Sequence, residues 1–321
     1  MIRHTNYLYT NHIVKRGTMS ETIETVGNSL IKHGPGHDRA YLMKLHPTDV
    51  CAIIDKLEEL ACSRGYSKIF AKVPAREAGR FVAAGYHLEA AIPYFFPEED
   101  SACFMAKYFQ ADRKLERQPL LVREVLIAAD AQQRAVAAPL PAGFALRATR
   151  VGDAAKMAEL YRRVYASKGF ALHDPASIRA AMKGGAIFFG VWKGESLVAL
   201  SCAVTDLTSS AAEMAEFATL PDCRDQGLTL HLLQQMEENM LTLGIRSVFG
   251  IARAYSFDIN ATFARNGYRF GGTLTNNLVI SGSLESVNVW HKTLPDDPGF
   301  AWRHLFEADL TGSGGAAECP R

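Results

Sequence analysis

A glycine-containing loop is the most specific chemical signal in this sequence. The residues CRDQGLT, Cys223 to Thr229, stand between an apolar segment and an amphipathic one, with the spacing R-x-x-G-x-T. Such a loop can turn successive backbone N–H groups toward one point, and the start of the following helix adds partial positive charge. These properties suit a pyrophosphate, although an ordinary turn between a strand and a helix has the same pattern.

The segments around the loop predict a mixed α+β sheet flanked by helices. Apolar residues recur at helical spacing from Leu228 to Leu243, and Gly244 ends that helix. The remaining predicted elements of this half are strands at 144–148, 186–192, 196–205, 211–220 and 245–252, helices at 151–166, after Asp174-Pro175 and at 257–266, and a hairpin of 269–280 with 286–292. The order is that of an α+β fold and not of a regular α/β alternation.

The first part of the chain repeats this pattern in weaker form. GYSKIF at 65–70 matches GIRSVF at 244–249, FVAAGYHLE at 81–89 matches FARNGYRFG at 263–271, and CFMAK at 103–107 matches NVWHK at 288–292. We interpret the first part as a degenerate duplicated half, the alternative being that strand and helix units simply look alike. AAPLPAG at 137–143 marks the boundary. The predicted domains are 1–116, a helix and linker at 117–143, a complete domain at 144–295, and a C-terminal segment with a flexible tail at 296–321.

Composition excludes several classes of protein. The chain has 321 residues, 48% of them hydrophobic and 21% charged, with a formal net charge of +1. This is enough apolar material for two cores, and there is no bulk field to attract nucleic acid or anionic lipid. The six cysteines are scattered and none forms a C-x-x-C pair, and no secretory or membrane-spanning segment is evident. We therefore expect a cytoplasmic protein without a metal, and a homodimer is one option.

The loop resembles motif A of the GNAT acetyltransferase superfamily, and SFDINATFARNGY at 256–268 resembles motif B. A closer resemblance, carried by LIKHGPGHDRAYLMKL at 30–45 and GGTLTNNLVISGSLESVNVWHK at 271–292, is to the bacterial and archaeal β-lysine N(6)-acetyltransferases. The resemblance implies a GNAT-like fold preceded by a degenerate GNAT-like half-domain. It also implies transfer of acetyl from acetyl-CoA to the side-chain amine of β-lysine, which yields a compatible solute.

The resemblance also assigns roles to residues. Loop amides would hold the CoA pyrophosphate, and the preceding strand would pair with the pantetheine arm. The implied cofactor-binding residues are Phe217, Ala218, Thr219, Arg224, Asp225, Gln226, Gly227, Leu228 and Thr229. The family's catalytic glutamate falls on Glu213, with Glu216 in reserve. Strand alternation turns these two side chains to opposite faces unless a bulge intervenes, so at most one should face the amine.

A base is needed because the acceptor arrives protonated. An alkylammonium has a pKa near 10.4, so at pH 7 only about one molecule in 2,500 is the free amine, a penalty of about 4.6 kcal/mol. Glu213, directly or through a water, would remove that proton, and strand N–H groups would stabilise the developing oxyanion. The alternative for Glu213 is a strand carboxylate that faces solvent.

The sequence departs from the family pattern at two positions. Thr229 stands where glycine or alanine is usual, and Phe263 stands where many relatives keep a tyrosine that protonates the departing thiolate. Three other side chains are alternative acids, unless CoA leaves as the thiolate: Tyr255, Tyr268 and His291.

The acceptor's ammonium groups need carboxylates and its carboxylate needs a cation. Residues in the segments that line the acceptor side of similar folds are Arg253 (for the carboxylate), Asp258, Asn276, Asn277, Glu285, Asn288 and Trp290, although each also fits an exposed hairpin. His33, His37 and Arg39 lie in HGPGHDR, where two histidines beside a turn have no third metal ligand, and these residues fit a loop or an interface. The favoured function is acetylation of a small diamino acid. The alternatives are a GNAT enzyme for another small amine or a protein amine, and a non-catalytic CoA-binding module.

Overall fold

The computed structural model describes residues 21–134, 138–165, 171–205, 209–280 and 282–295. All thirteen strands of this part of the chain lie in one sheet, in the order β1-β2-β3-β4-β6-β5-β12-β13-β11-β10-β9-β8-β7. Helices accompany the sheet in both halves of the chain, so the predicted α+β class is confirmed. The C-terminal tail with Cys319 and part of the predicted linker lie outside the described residues.

The first half contains six strands and four helices. Their bounds are β1 Thr22–Val26, β2 Ser29–Gly34, β3 Arg39–Lys44, α1 Ile53–Arg64, β4 Lys68–Pro74, α2 Ala75–Ala83, β5 His87–Ile92, β6 Ala102–Tyr108, α3 Ala111–Lys114 and α4 Pro119–Asp130. Gly65, with φ of 69°, ends α1 in the left-handed conformation that favours glycine.

The second half contains seven strands and four helices in its described residues. Their bounds are β7 Phe144–Ala148, α5 Ala154–Val164, α6 Pro175–Lys183, β8 Ala186–Lys193, β9 Ser196–Thr205, β10 Ala211–Thr219, α7 Leu228–Thr242, β11 Ser247–Arg253, α8 Phe257–Arg265, β12 Arg269–Ile280 and β13 Ser283–Thr293. Asp174 begins α6, because its carboxylate accepts hydrogen bonds from the amides of Ala176 and Ser177.

The two halves share one topology. In the first half β1, β2 and β3 are antiparallel neighbours, β3 runs parallel to β4, and β6 lies between β4 and β5. In the second half β8, β9, β10, β11, β13 and β12 repeat this arrangement strand for strand. The degenerate GNAT-like half inferred from the three sequence matches is therefore present, while the domain boundaries drawn from the sequence remain a prediction.

The halves meet along β5 and β12 and through a shared apolar core. One residue pair, Ala90 opposite Gly272, joins the two strands. Gly272 has φ of 139°, and a Cβ there would lie 2.1 Å from the carbonyl oxygen of Glu89, so the backbones approach too closely for a side chain. The shared core takes members from both halves, among them Tyr41, Phe70, Phe104, Phe249, Leu274 and Val287. Packing between the halves thus covers the sheet face on which Glu213 lies.

Candidate active site

The loop before α7 has the backbone geometry of an anion-binding turn. Asp225 has φ of 61° and Gly227 has φ of 68°, and Gly227 occupies the position just before the helix without a side-chain cap. The carbonyl of Gly227 accepts from the amides of Leu230 and His231. The amides of Leu228 and Thr229 precede any acceptor within the helix, so they point out of its positive end. Residues 224–227 are exposed, and the loop fits a diphosphate group.

The strand before this loop separates from its neighbour. β10 and β11 run parallel and pair only from Ala211 opposite Ser247 to Glu213 opposite Phe249. β10 continues to Thr219 and β11 to Arg253, so a gap opens between them beyond Glu213. The β10 edge in this gap, which includes the expected arm-binding residues Phe217, Ala218 and Thr219, can pair with an extended ligand chain.

A bulge in β10 reshapes the strand at the second glutamate. The register with β9 shifts between Ala215 and Ala218, and Glu216 has φ of 56°. Two tyrosines of α5 hold this irregular backbone: the Tyr161 hydroxyl donates to the Glu216 carbonyl at 3.1 Å and the Tyr165 hydroxyl donates to the Phe217 carbonyl at 2.5 Å. The bulge that the sequence analysis allowed for is therefore present, so regular alternation along β10 does not determine the direction of the Glu216 side chain.

Both glutamates are buried, and their carboxyl groups interact. Burial raises the pKa of Glu213 to about 8; negative charge on Glu216 adds to the rise, and the ammonium of Lys72 opposes it. Burial alone raises the pKa of Glu216 to about 8, and its Oε2 has no hydrogen-bond partner. A carboxyl group with a pKa near neutrality can both accept and hold a proton at physiological pH, which is what general base catalysis requires.

Glu213 faces a cleft whose other wall comes from the first half. The cleft has a cavity volume of about 20 Å³, room for about one water molecule, and it opens to solvent at its mouth. Residues of the first half that line it are Tyr41, Phe70, Lys72 and Phe104, and the second half contributes Asn277 and Leu278 beside Glu213. An acceptor group that reaches into this cleft would touch both halves of the chain.

Three of the expected acceptor-binding residues are bonded to other parts of the protein. Arg253 and Glu285 form a two-point ion pair, with Nη2 to Oε1 at 2.8 Å and Nε to Oε2 at 2.9 Å. The Asn276 amide group donates to the carbonyls of Arg113 and Leu115, which ties β12 to the first half.

Three of the remaining four do not share the cleft with Glu213. Asn288 and Trp290 both donate to Oδ1 of Asn260 at 2.9 and 2.8 Å, and so hold α8 against β13. Asp258 lies exposed in the first turn of α8. Of the polar hairpin residues considered from the sequence, Asn277 is the one that lines the cleft.

Phe263 is a packing residue. It is buried and makes edge-to-face contact with Phe217, with ring centroids 6.0 Å apart. Among the alternative acids, the Tyr255 hydroxyl donates to the Glu116 carboxylate at 2.6 Å, and His291 pairs with Phe249 across β13 and β11. Burial lowers the pKa of His291, and nearby Arg269 adds to this effect, so this imidazole is a poor acid at neutral pH.

The loop of the first half that corresponds to 223–229 holds a carboxylate. Asp49 is buried between β3 and α1, where its Oδ2 accepts from the Asn28 amide and the Ser29 hydroxyl, both at 2.7 Å. A negative charge in this place repels phosphate. The part of the chain described by the structure therefore offers one diphosphate loop, in the second half.

The sequence predicted that the protein has no metal site and no membrane-spanning segment. Within the described ranges, no cluster of three or more His, Cys, Asp and Glu side chains is arranged to hold a metal ion. The Nδ1 of His37 bonds to the Val279 amide at 3.0 Å, so this histidine joins the halves. None of the helices in the described ranges has the length and apolar character needed to span a membrane.

Sequence reasoning missed Lys72, Tyr161 and Tyr165. Alternation along β4 places Lys68, Phe70 and Lys72 on one face, but nothing in the local sequence indicates that the second half covers this face. The tyrosines recur at helical spacing on α5, a pattern that also describes ordinary core residues.

Comparison with known proteins gives curated relatives that are named N-acetyltransferases. The chain is 30% identical over 272 residues to a β-lysine N(6)-acetyltransferase of Methanococcus maripaludis, covering 85% of this chain and 98% of the relative. It is 30% identical over 199 residues to the N-acetyltransferase YodP of Bacillus subtilis, covering 60% of this chain and 70% of the relative. A solved ribosomal L7/L12 α-N-protein acetyltransferase in complex with coenzyme A superposes with a TM-score of 0.43 at 15% identity, covering 50% of this chain and 98% of that one. No protein-family model matches the chain.

Proposed function

Because this chain belongs to the β-lysine N(6)-acetyltransferase family, we propose that it acetylates the side-chain amine of β-lysine to give N(6)-acetyl-β-lysine. The chain is an acetyl-CoA-dependent N-acetyltransferase; the identity of the acceptor is the proposal. The observation that carries it is the buried Glu213 carboxyl, which lies where β10 and β11 separate and faces a cleft that also contains Lys72.

The donor side of the site is built from the loop and the edge of β10. The outward amides of Leu228 and Thr229, together with the left-handed turn at Gly227, would hold the pyrophosphate of acetyl-CoA. The β10 edge at 217–219 would pair with the pantetheine arm. Bound there, acetyl-CoA supplies an activated thioester carbonyl.

Glu213 is the general base in this proposal. Its carboxylate takes a proton from the acceptor ammonium, directly or through one water, and thereby frees the nitrogen lone pair that forms the new C–N bond. The raised pKa of Glu213 brings it closer to that of the amine, which makes the proton transfer less uphill than to an ordinary carboxylate. The hydroxyls of Tyr161 and Tyr165 position the bulge next to Glu213 and do not take part in the proton transfer.

The departing sulfur has no assigned acid. Phe263 cannot donate a proton, and the Tyr255 hydroxyl is committed to Glu116. CoA therefore leaves as the thiolate in this proposal, since a thiol with a pKa near 8.5 is a tolerable leaving group near neutral pH, and the second proton of the attacking nitrogen passes to solvent.

A thiol-release assay tests the acceptor. Free CoA is measured with β-lysine, lysine and spermidine as acceptors, and the acetylated nitrogen is located by mass spectrometry. We expect kcat/KM to be highest for β-lysine, with the acetyl group on N6. A preference for lysine or spermidine would refute the β-lysine assignment. Binding of CoA without thiol release for any amine would favour the non-catalytic alternative.

A further inference from the structure

We propose that the first half of the chain supplies the cation that binds the acceptor's carboxylate, and that this cation is Lys72. The inference rests on the proposed function, because it concerns how the same acceptor is recognised. It gives the degenerate half a role in substrate selection, although that half has no diphosphate loop of its own.

The position of Lys72 follows from strand alternation. On β4, Lys68, Phe70 and Lys72 share the face that packs against the second half, while Ile69, Ala71 and Val73 pack toward the helices of the first half. Lys72 lines the cleft with Glu213, and it also lines an adjoining pocket between the ends of β3 and β4. Its ammonium lies 4.7 Å from the ring centroid of Phe95, so the side chain extends along the rim of the shared core.

The two walls of the cleft carry groups that can take opposite charges. Glu213 stands on the wall from the second half, and Lys72 is the cation that the described lining contributes on the other wall. The Lys72 charge lowers the pKa of Glu213, so the two groups are close enough to interact. A small zwitterion with an ammonium at one end and a carboxylate at the other would be bound at both ends.

Neighbouring cations do not line the cleft. Lys68 is fully buried and bonds to Glu89 and to the Thr275 carbonyl, both at 2.8 Å. Arg39 is fully buried against the ring of Phe70, 5.3 Å from its centroid, and does not line the cleft. Selection of amino acids over polyamines is therefore assigned to Lys72.

The experiment compares Lys72→Met with Lys44→Met, since Lys44 lines only the adjoining pocket and the two substitutions are identical. Each variant and the wild type are assayed for kcat and KM with β-lysine and with β-lysine amide, which keeps both amines and lacks the anionic carboxylate. Binding of both ligands in the presence of CoA is measured by calorimetry, and Lys72→Arg tests rescue by another cation.

We expect Lys72→Met to lower kcat/KM for β-lysine by about 10- to 100-fold, mostly through KM, with little change for the amide. Lys44→Met should resemble the wild type, and Lys72→Arg should recover part of the loss. An equal loss for acid and amide would mean that Lys72 is structural, and no loss for either would exclude it from the site.

Failure of the proposed function gives a different result. If the wild type prefers another diamino acid to β-lysine, the β-lysine assignment fails, and the same acid and amide comparison with that acceptor still tests Lys72. If the wild type binds and acetylates only amines without a carboxylate, or binds no amino acid in the calorimeter, the inference itself is overturned.

Discussion

Replacing Glu213 with glutamine should change the pH dependence of acetyl transfer as well as its rate. A base with a pKa of about 8 is only about one-tenth ionised at pH 7, so wild-type kcat/KM should rise about tenfold from pH 7 to a plateau above pH 9. Without the base, the rate follows the free amine, which increases about 200-fold between pH 7 and pH 9.4. The deficit of Glu213→Gln, about 100-fold or more at pH 7, should therefore shrink about 20-fold by pH 9.4.

The assay is thiol release at saturating acetyl-CoA from pH 6 to 9.5, with acceptor-free hydrolysis subtracted at each pH. Glu216→Gln is the matched control, because Glu216 is equally buried and its pKa is raised to about the same value. We expect Glu216→Gln to keep the tenfold rise to a plateau, with its midpoint at lower pH, because the charge of Glu216 adds to the raised pKa of Glu213. A deficit of Glu213→Gln that stays constant with pH, or a shrinking deficit in Glu216→Gln instead, would refute the assignment of the base.

Three further predictions concern binding and stability. Gly227→Glu should abolish CoA binding measured by calorimetry. Gly227→Ala has the same strain from the left-handed φ but no charge, and it should still bind CoA. Equal loss of binding in both variants would contradict the diphosphate loop. Gly250→Ala places a Cβ 2.0 Å from Phe263 Cζ and should lower the free energy of unfolding by about 1–3 kcal/mol, with recovery in the double variant with Phe263→Leu. In the folded chain the pKa values of Glu213 and Glu216 lie above the ordinary 4.5, at about 8. The contribution of these carboxyl groups to the free energy of unfolding is therefore complete below about pH 4.5 and decreases until the pH passes 8. The decrease reaches at most about 1.4 kcal/mol per pH unit for each carboxyl group, and Glu213→Gln should make it smaller. Urea unfolding at pH 5.5, 6.5 and 7.5 measures it. The same decrease in the variant and the wild type would contradict the raised pKa of Glu213.

The turn before α7 was predictable because its signal is local. Gly227 stands at the start of a helix whose apolar stripe is evident in the sequence, and the left-handed φ there is what glycine permits. Glu213 lies six residues before Thr219 on the same strand, and the family spacing proposes it as the base from the sequence alone. Both inferences depend on residues that are neighbours in the chain.

The acceptor side was not predictable in the same way. Lys72 lines the same cleft as Glu213 only because β5 pairs with β12 and brings two sheet faces together, and no short sequence pattern encodes that arrangement. The bulge gives Glu216 a positive φ. Glycine or asparagine is usual in that conformation, so a glutamate there gives no sign of the bulge in the sequence. Asn276 was expected to face the acceptor, yet a register shift in β12 accompanies its bonds to the first half.

The junction of β5 and β12 also determines whether the halves can exist apart. Each of these strands would be the outermost strand of its own half, with an unsatisfied row of backbone groups and, beside it, an uncovered apolar face. Such edges recruit other chains and promote aggregation. The shared core covers the apolar face of each half, so we expect a chain that lacks the first half to expose this face and to aggregate.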